Sequence, residues 1–366
     1  MTTKESEEPS QPEGDASLLY LYSSNIRPLY EQDILDLLAS PRNLPYQFRY
    51  EARYVEANTR AEWLGLTGKV ALIHFSLQQE AKFHDPAFIP VRLATVRRAF
   101  LLGDIHVLEL NLRAYVALPE PPPGEGEANL AQRVREYARY LEDRGIPRPY
   151  GPSAGLGENI LVNEDVPLER DGDEMRLFSR TCRILQRTQS FRTARFYRFL
   201  RLTEKKGNGT DKVVDESGVF ILDGGRTYEL ALAHQQPADV PQPERFSVSV
   251  DGSIVRLIGR QEFEIASMYD IITIPFYAVE SPTYDARDTV LVIEPETTQG
   301  ARLRLPLRVR SPLRRAAGAV SGSVVGLVLL GLPALFPHLN GGIKVLLIVG
   351  GGLMTGVLAT LGLRRT

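Results

Sequence analysis

The chain has 366 residues with 43 basic and 45 acidic side chains, which gives a formal net charge of −2 at pH 7. A balance so close to neutral excludes a general preference for nucleic acid and leaves only local charge patterns to interpret. The single cysteine, Cys182, excludes an internal disulfide framework and fits a reducing compartment. Residues 1–16 are polar and acidic without an apolar run, so they predict a disordered tail and no signal peptide. We expect an α+β protein whose cytosolic part is mostly β, followed by a C-terminal two-helix transmembrane hairpin.

Residues 17–118 predict a mixed, β-rich domain. Aromatic residues alternate with charged ones from Tyr46 to Tyr54, which predicts a strand with its rings packed inward. Two longer apolar segments, Val91–Leu101 and Ile105–Leu118, predict strands that are joined in a hairpin at Gly103-Asp104.

Residues 119–126 contain three consecutive prolines and then two glycines, which predicts a stiff linker and a domain boundary. Residues 127–194 predict a helical, arginine-rich connecting region. Its clearest helix is Asn129–Asp143, with one apolar stripe. The stripe consists of Leu130, Val134, Tyr137 and Leu141. The glycine-rich Gly151–Gly157 lacks the preceding strand and the following Gly-Lys-Ser/Thr of a phosphate-binding loop, so it predicts a plain loop.

Residues 176–203 contain eight arginines and no Asp, Glu or Lys. The segment therefore carries +8 in a chain whose net charge is −2, so the remainder sums to −10. The spacing places several arginines on one side of a helix in the first half, whereas the second half fits either a helix or a strand. Six of them are our candidate residues for binding an anion or a nucleic acid: Arg180, Arg183, Arg187, Arg192, Arg195 and Arg198.

Three interpretations of these arginines stay open. Together with the neighbouring aromatic residues they can bind phosphates and stack bases, as in nucleotide or nucleic-acid recognition. They can hold the protein against anionic lipid headgroups, at roughly 1 kcal/mol for each arginine near the surface. They can also form ordinary ion pairs with acidic residues of neighbouring strands.

Residues 195–310 alternate between short apolar segments and turn signals, which predicts about eight strands in a β-sandwich. The Asp251-Gly252 dipeptide lies between Phe246–Val250 and Ser253–Ile258 and predicts a hairpin. The last predicted strand, Ala301–Val309, ends a few residues before the first long apolar run. We therefore expect this domain to be held close to a bilayer.

Two uncharged runs, residues 316–336 and 345–363, follow near the end of the sequence. As helices they would each span roughly 30 Å, which matches the hydrocarbon thickness of a bilayer. Arginines flank the pair on one side only, so both termini are expected in the cytoplasm. The flanking residues are Arg308, Arg310, Arg314, Arg315, Arg364 and Arg365. The sequence thus predicts a two-pass protein of the inner (plasma) membrane.

Glycines recur at four-residue spacing within both runs, a pattern that lets helix backbones approach closely in lipid. They are Gly318, Gly322, Gly326, Gly352 and Gly356. These glycines either join the two helices of one hairpin or leave a face for other copies of the chain. The second interpretation predicts a homo-oligomer.

We find no HExxH, paired CxxC or GxSxG pattern, and the five histidines are scattered along the chain. The acidic group Asp171, Asp173 and Glu174 lacks the spacing of a calcium loop and predicts an acidic turn. We therefore expect no catalytic residues, no metal and no cofactor, and we do not expect an enzyme.

The leading hypothesis is a membrane-anchored cytosolic sensor and effector that self-associates through its hairpin. On binding a ligand or partner it would perturb or permeabilise the bilayer. Its organisation is similar to that of membrane effectors in bacterial antiviral defence and cell-death systems. The first alternative is a passive membrane tether for a cytosolic protein, nucleotide or nucleic-acid partner. The second, which the sequence supports least, is a membrane-associated enzyme.

Overall fold

The computed structural model describes residues 18–78, 87–119, 128–146, 151–157, 168–169, 172–205, 211–237, 243–265, 267–280, 285–296 and 300–311. As expected, this part of the chain is mostly β and contains several sheets. The strands divide into a first unit, built on one six-stranded sheet, and a second unit, built on two smaller sheets.

The sheet of the first unit has the strand order β2-β5-β4-β3-β1-β6. The strands are β1 (Leu18–Ser24), β2 (Pro45–Glu51), β3 (Val70–Leu77), β4 (Ala87–Leu102), β5 (Ile105–Tyr115) and β6 (Ser153–Gly157). β1 and β3 run parallel, and the other neighbouring pairs are antiparallel. The predicted β4–β5 hairpin is confirmed. Its turn contains Gly103 at φ 59, a left-handed conformation that glycine adopts without a Cβ clash.

Four α-helices accompany this sheet: α1 (Pro28–Ala39), α2 (Ala57–Ala61), α3 (Ala128–Asp143) and α4 (Glu174–Leu185). α1 starts at Pro28, whose fixed φ suits the first helical position. α4 starts after Asp173, whose side chain accepts a hydrogen bond of 3.0 Å from the backbone N–H of Met175. Two short 3₁₀ turns, Ala52–Tyr54 and Trp63–Leu66, complete the helical structure of the described residues.

The two longer helices of residues 127–194 pack on the first sheet. In α3, the expected stripe residues Val134, Tyr137 and Leu141 are buried, and the Tyr137 hydroxyl lies 2.7 Å from Nε2 of His74 in β3. In α4, the Thr181 hydroxyl donates a 3.0 Å hydrogen bond to the carbonyl of Val116. The segment expected to connect two domains therefore contributes α3, β6 and α4 to the first unit.

The second unit has a four-stranded sheet, in the order β11-β13-β9-β7, and a five-stranded sheet, in the order β12-β10-β14-β15-β8. The strands are β7 (Phe196–Glu204), β8 (Phe220–Asp223), β9 (Arg226–Gln235), β10 (Glu244–Ser249), β11 (Val255–Leu257), β12 (Glu262–Ile265), β13 (Tyr269–Ala278), β14 (Arg287–Pro295) and β15 (Leu303–Arg310). Ring pairs join the two sheets, with centroids 5.9 Å apart for Tyr197 and Phe246 and 5.3 Å apart for Phe199 and Phe220.

Three local predictions are wrong. Asp251-Gly252 does not close a hairpin, because β10 before it belongs to the five-stranded sheet and β11 after it to the four-stranded sheet. The Asp251 carboxylate instead accepts hydrogen bonds from the N–H and hydroxyl of Ser253, and the chain crosses between sheets there. Gly151–Gly157 is not a plain loop, since its last five residues form β6 at the sheet edge. Tyr54 lies in a 3₁₀ turn, after β2 has ended at Glu51.

The two units contact each other where α1 meets the segment before β15. The Gln32 amide donates a 3.0 Å hydrogen bond to the carbonyl of Gly300, and the Asp36 carboxylate accepts one of 2.7 Å from the N–H of Arg302. In addition, the ring centroid of Phe75 in β3 lies 4.8 Å from that of Phe191, which precedes β7. The last described strand is therefore docked at its start on the first unit.

Among the described residues, no helix is both long and apolar enough to cross a membrane. The two uncharged runs of the predicted hairpin, residues 316–336 and 345–363, lie outside the described residues.

Candidate functional site

The six candidate arginines are distributed over three structural elements. Arg180 and Arg183 lie on α4, and Arg187 and Arg192 lie in the turns that follow. Arg195 comes directly before β7, and Arg198 lies within it. Arg180, Arg195 and Arg198 are buried, and the other three are exposed. This distribution follows from the order of the elements, in which α4 is followed by turns and then by β7. A strand in the second half of the segment is one of the two alternatives that the spacing left open.

Two of the buried arginines form ion pairs. The Arg180 guanidinium pairs with both carboxylate oxygens of Glu169, and Arg198 pairs with Glu174. For these two residues, the ordinary ion-pair interpretation describes the contacts that the structure contains. Of these two, Arg198 also lines a cavity.

This cavity, of about 250 Å³, lies at the junction of the two units. The first unit supplies the segment after α1, one residue each from β4 and β5, and the start of α4. The second unit supplies residues of β7, the segment 211–214 and the start of β8. We call it the junction cavity. Because its walls come from both units, any ligand bound there would contact both.

One carboxylate bridges the two walls of the junction cavity. Glu174, the first residue of α4, accepts a hydrogen bond on Oε1 from Nε of Arg42 and one of 2.5 Å on Oε2 from Nη2 of Arg198. The Arg198 side chain is 9% exposed, whereas that of Arg42 is 50% exposed. These are charge-assisted contacts, stronger than neutral hydrogen bonds. Glu174 thus joins an arginine of the first unit to an arginine of the second.

A fully buried arginine lies behind this bridge. Arg92 of β4 donates hydrogen bonds to the carbonyls of Leu37 at 2.8 Å, Ser40 at 2.7 Å and Arg113 at 2.8 Å. Its guanidinium carbon lies 4.4 Å from the centroid of the Tyr115 ring. Two of these carbonyls belong to the C-terminal end of α1, where helical carbonyls lack intrahelical donors and a positive charge is favourable.

Tyr115, in the same wall, lies close to both Arg92 and Arg198. Its hydroxyl donates a 2.7 Å hydrogen bond to the carbonyl of Leu38, and the Arg198 guanidinium lies 5.1 Å from its ring centroid. Burial raises the pKa of the Tyr115 hydroxyl and lowers the pKa of the Arg92 guanidinium. The tyrosine therefore remains a neutral donor that lies close to two cations.

The lining of the junction cavity is positively charged. Its charged residues are the cations Arg42, Arg92, Arg198, Arg201 and Lys212 and the anions Glu174 and Asp211, so positive charges exceed negative ones by three. Lys212 also lies 4.0 Å from Glu204. A concave surface with excess positive charge concentrates anions. The site is therefore suited to a small anionic ligand.

Sequence reasoning missed three of the central residues. Arg42, Arg92 and Glu174 are distant in sequence and belong to no motif. For Arg92 a signal existed, because it is the one charged residue in the first ten residues of β4, Ala87–Val96, and arginine is rarely buried unless it is paired. Glu174 was assigned to an acidic turn, and the structure instead places it at the start of a helix.

Within the described ranges, no group of three His, Cys, Asp or Glu side chains is placed to hold a metal ion. The five glycines predicted to pack helices, Gly318, Gly322, Gly326, Gly352 and Gly356, lie outside the described residues.

Comparison with known proteins assigns no family. No family model matches the chain, and no curated protein matches it. Among solved structures, a GH5 xyloglucanase from Bacteroides ovatus is 10% identical at a TM-score of 0.18, covering 25% of this chain and 17% of its own. A FixG-related protein from Vibrio parahaemolyticus is 10% identical at a TM-score of 0.21, and the match covers 32% of this chain and 96% of that protein. E. coli alpha-2-macroglobulin is 12% identical at a TM-score of 0.19, and the match covers 57% of this chain and 13% of that protein.

Proposed function

We propose that the chain is a membrane-anchored sensor and effector, with a β-sandwich as its second unit and a two-helix hairpin as its anchor. Binding of an anionic ligand at the junction cavity would change the contact between the two units. The hairpins of several copies would then associate and perturb the bilayer. The function is one of binding and membrane action, and we assign no catalytic step.

The positively charged junction cavity is the observation on which this proposal rests. A ligand bound there would contact β7 directly, through Arg198 and Arg201. β7 is preceded by Arg195, which forms a parallel bridge with Gly300, and Gly300 lies just before β15. A movement of β7 on ligand binding would therefore reach β15 through a direct backbone contact.

β15 is the element that would pass the signal to the membrane. It ends at Arg310, and the first uncharged run begins at Ala316, so five residues separate the strand from the proposed anchor. Over so short a connection, a rigid-body movement of the strand would be passed on to the anchor. Its start is docked on α1 through Asp36 and Gln32. A ligand that loosens this docking would allow the second unit to reorient against the bilayer.

The test is dye release from vesicles that contain the full chain. Raising the protein-to-lipid ratio favours self-association by mass action, so release should rise steeply with that ratio. Gly322→Leu combined with Gly326→Leu should reduce release at least tenfold, because leucine prevents close helix approach. Gly331→Leu is the matched control, since position 331 falls off the four-residue spacing, and it should release dye like the unmodified chain.

Unchanged release in the double variant would remove the glycine face from the mechanism. Complete retention of dye at every ratio, with the chain inserted, would contradict the effector function. In that case the passive tether would be the better description, and a foreign two-helix anchor should then restore the cellular function.

A further inference from the structure

We propose that the junction cavity binds a small phosphomonoester and that the Glu174 carboxylate occupies the position of its phosphate in the ligand-free chain. The inference rests on the proposed function in that it places the ligand at the junction of the two units. Binding itself, however, requires neither membrane insertion nor self-association. It can therefore be tested separately.

The arginine pair around Glu174 already has the arrangement that a phosphate requires. The two oxygens of one carboxylate receive hydrogen bonds from two different guanidinium groups, Arg42 on one wall and Arg198 on the other. A phosphate presents oxygens on a single centre in a similar way, and planar guanidinium groups match it well. A phosphomonoester also carries a charge of about −1.5 to −2 near neutral pH. It is therefore a stronger partner for two arginines than the single charge of Glu174.

The surrounding charges favour this exchange. Even with Glu174 in place, the lining has three more positive than negative charges. Arg92 and Arg198 are both more than nine-tenths buried, and they lie over the same Tyr115 ring at 4.4 and 5.1 Å. Glu174 alone leaves this cluster under-neutralised, and a doubly charged phosphate would compensate it better.

Glu174 can also leave the two arginines without becoming a buried, unpaired charge. Its side chain is 26% exposed and is therefore close to solvent. As the first residue of α4, it keeps the favourable interaction of a negative charge with a helix N-terminus after it turns outward. Its release would at the same time replace the direct ion pair between α4 and β7 with contacts that run through the ligand. Ligand binding would thus change the contact between the two units.

The size and apolar side of the cavity define the rest of the ligand. At about 250 Å³, the cavity lies below the range of roughly 300–1,000 Å³ typical of drug-sized ligands. Phe199 and Phe220 line one side, with their ring centroids 5.3 Å apart. A sugar phosphate or a nucleoside monophosphate suits this combination of a charged wall and an apolar wall. A nucleic-acid polymer would not fit inside it.

The test is calorimetric titration of the full chain, in detergent, with adenosine monophosphate and with inorganic phosphate. Adenosine, which lacks the phosphate, is the uncharged control ligand. We expect binding of the monophosphate and at least tenfold tighter binding by Glu174→Gln, because this change removes the resident competitor. Arg198→Lys should bind at least tenfold more weakly, since an ammonium group lacks the planar fork. Circular dichroism, which reports on the strands of both units, checks that each variant is folded.

Glu51→Gln is the matched control. Glu51 also pairs with an arginine, Arg53, at 2.9 Å, but it does not line the cavity, so its substitution should leave the affinity unchanged. Absence of binding to the unmodified chain and to Glu174→Gln would overturn the inference. So would equal affinity in folded Arg198→Lys, because Glu174 would then be only a structural link.

A phosphomonoester can be a free metabolite or a lipid headgroup, and short-chain phosphatidic acid distinguishes the two. Binding of this lipid but not of adenosine monophosphate, with the same response to Glu174→Gln, would assign the site to a headgroup. The binding and dye-release tests fail independently. Binding without release would contradict the membrane function alone, and release without binding would contradict this inference alone.

Discussion

Replacement of Arg92 by Met tests whether the junction is built around a buried cation. Met fills a similar volume but leaves three backbone carbonyls, those of Leu37, Ser40 and Arg113, without their donor. Each hydrogen bond from a charged donor contributes about 1.5–3 kcal/mol, and the relief of burying the charge offsets part of that loss. We therefore expect the free energy of unfolding to fall by about 3 kcal/mol.

The assay is thermal unfolding of the full chain in mild detergent, followed by tryptophan fluorescence. The chain has one tryptophan, Trp63, which is 1% exposed and donates a 3.2 Å hydrogen bond to the carbonyl of Phe100, so the signal reports on the first unit. A loss of about 3 kcal/mol corresponds to a decrease in Tm of roughly 6–12 °C for a unit of this size.

Two further variants provide reference values for the loss of stability in Arg92→Met. Tyr115→Phe removes one neutral hydrogen bond, to the carbonyl of Leu38, and should cost about 1–2 kcal/mol. Arg53→Met removes an exposed ion pair with Glu51 and should leave the midpoint unchanged. If Arg92→Met unfolds within 1 °C of the unmodified chain, the reasoning about this buried cation is wrong.

Three other predictions concern groups outside the bridge. Burial raises the pKa of Asp33 and of Asp36 to about 6 from 3.8, so the native state binds these protons more tightly than the unfolded state. The stability they contribute is present below pH 4 and is lost as the pH rises to 6, at up to about 3 kcal/mol each. In the unmodified chain the denaturant concentration at the unfolding midpoint should therefore fall between pH 4 and 6, and in Asp33→Asn it should fall less. An equal fall in both chains would refute the raised pKa of Asp33. Burial also raises the pKa of the Cys182 thiol, so a thiol reagent should label it only at the rate of unfolding, and rapid native labelling would contradict this. Gly218→Ala should destabilise the junction by about 1–3 kcal/mol, because φ is 85 and an added Cβ would lie 2.2 Å from Pro45. An unfolding midpoint equal to that of the unmodified chain would show that this contact can relax.

Local patterns in the sequence were sufficient for elements that depend on near neighbours. The β4–β5 hairpin follows from two apolar segments around a glycine turn, and the buried face of α3 follows from helical spacing. Asp251-Gly252 shows where this approach fails. A turn dipeptide indicates that the chain reverses, but whether the next strand pairs with the previous one depends on partners distant in sequence. Here β11 pairs with β13, and β10 pairs with β12 and β14.

The junction cavity could not be predicted for the same reason. Arg42, Arg92, Glu174 and Arg198 are brought together only when α1, β4, α4 and β7 have packed. The arginine-rich segment drew attention to Arg198, but it placed Arg198 in one candidate set with exposed residues such as Arg183 and Arg187. What separates them is the end of α4 at Leu185 and the start of β7 at Phe196. Burial, which distinguishes Arg198 from these exposed residues, arises from tertiary structure.

Membrane insertion is the claim on which the proposed function depends most directly, and a flotation experiment tests it. The full chain is mixed with preformed vesicles during synthesis, washed in alkaline carbonate and centrifuged in a density gradient. If the two uncharged runs insert, the full chain floats with the lipid, whereas a chain ending at Ser311, without these runs, stays at the bottom. Recovery of the full chain in the soluble fraction, alongside the shortened one, would contradict membrane insertion.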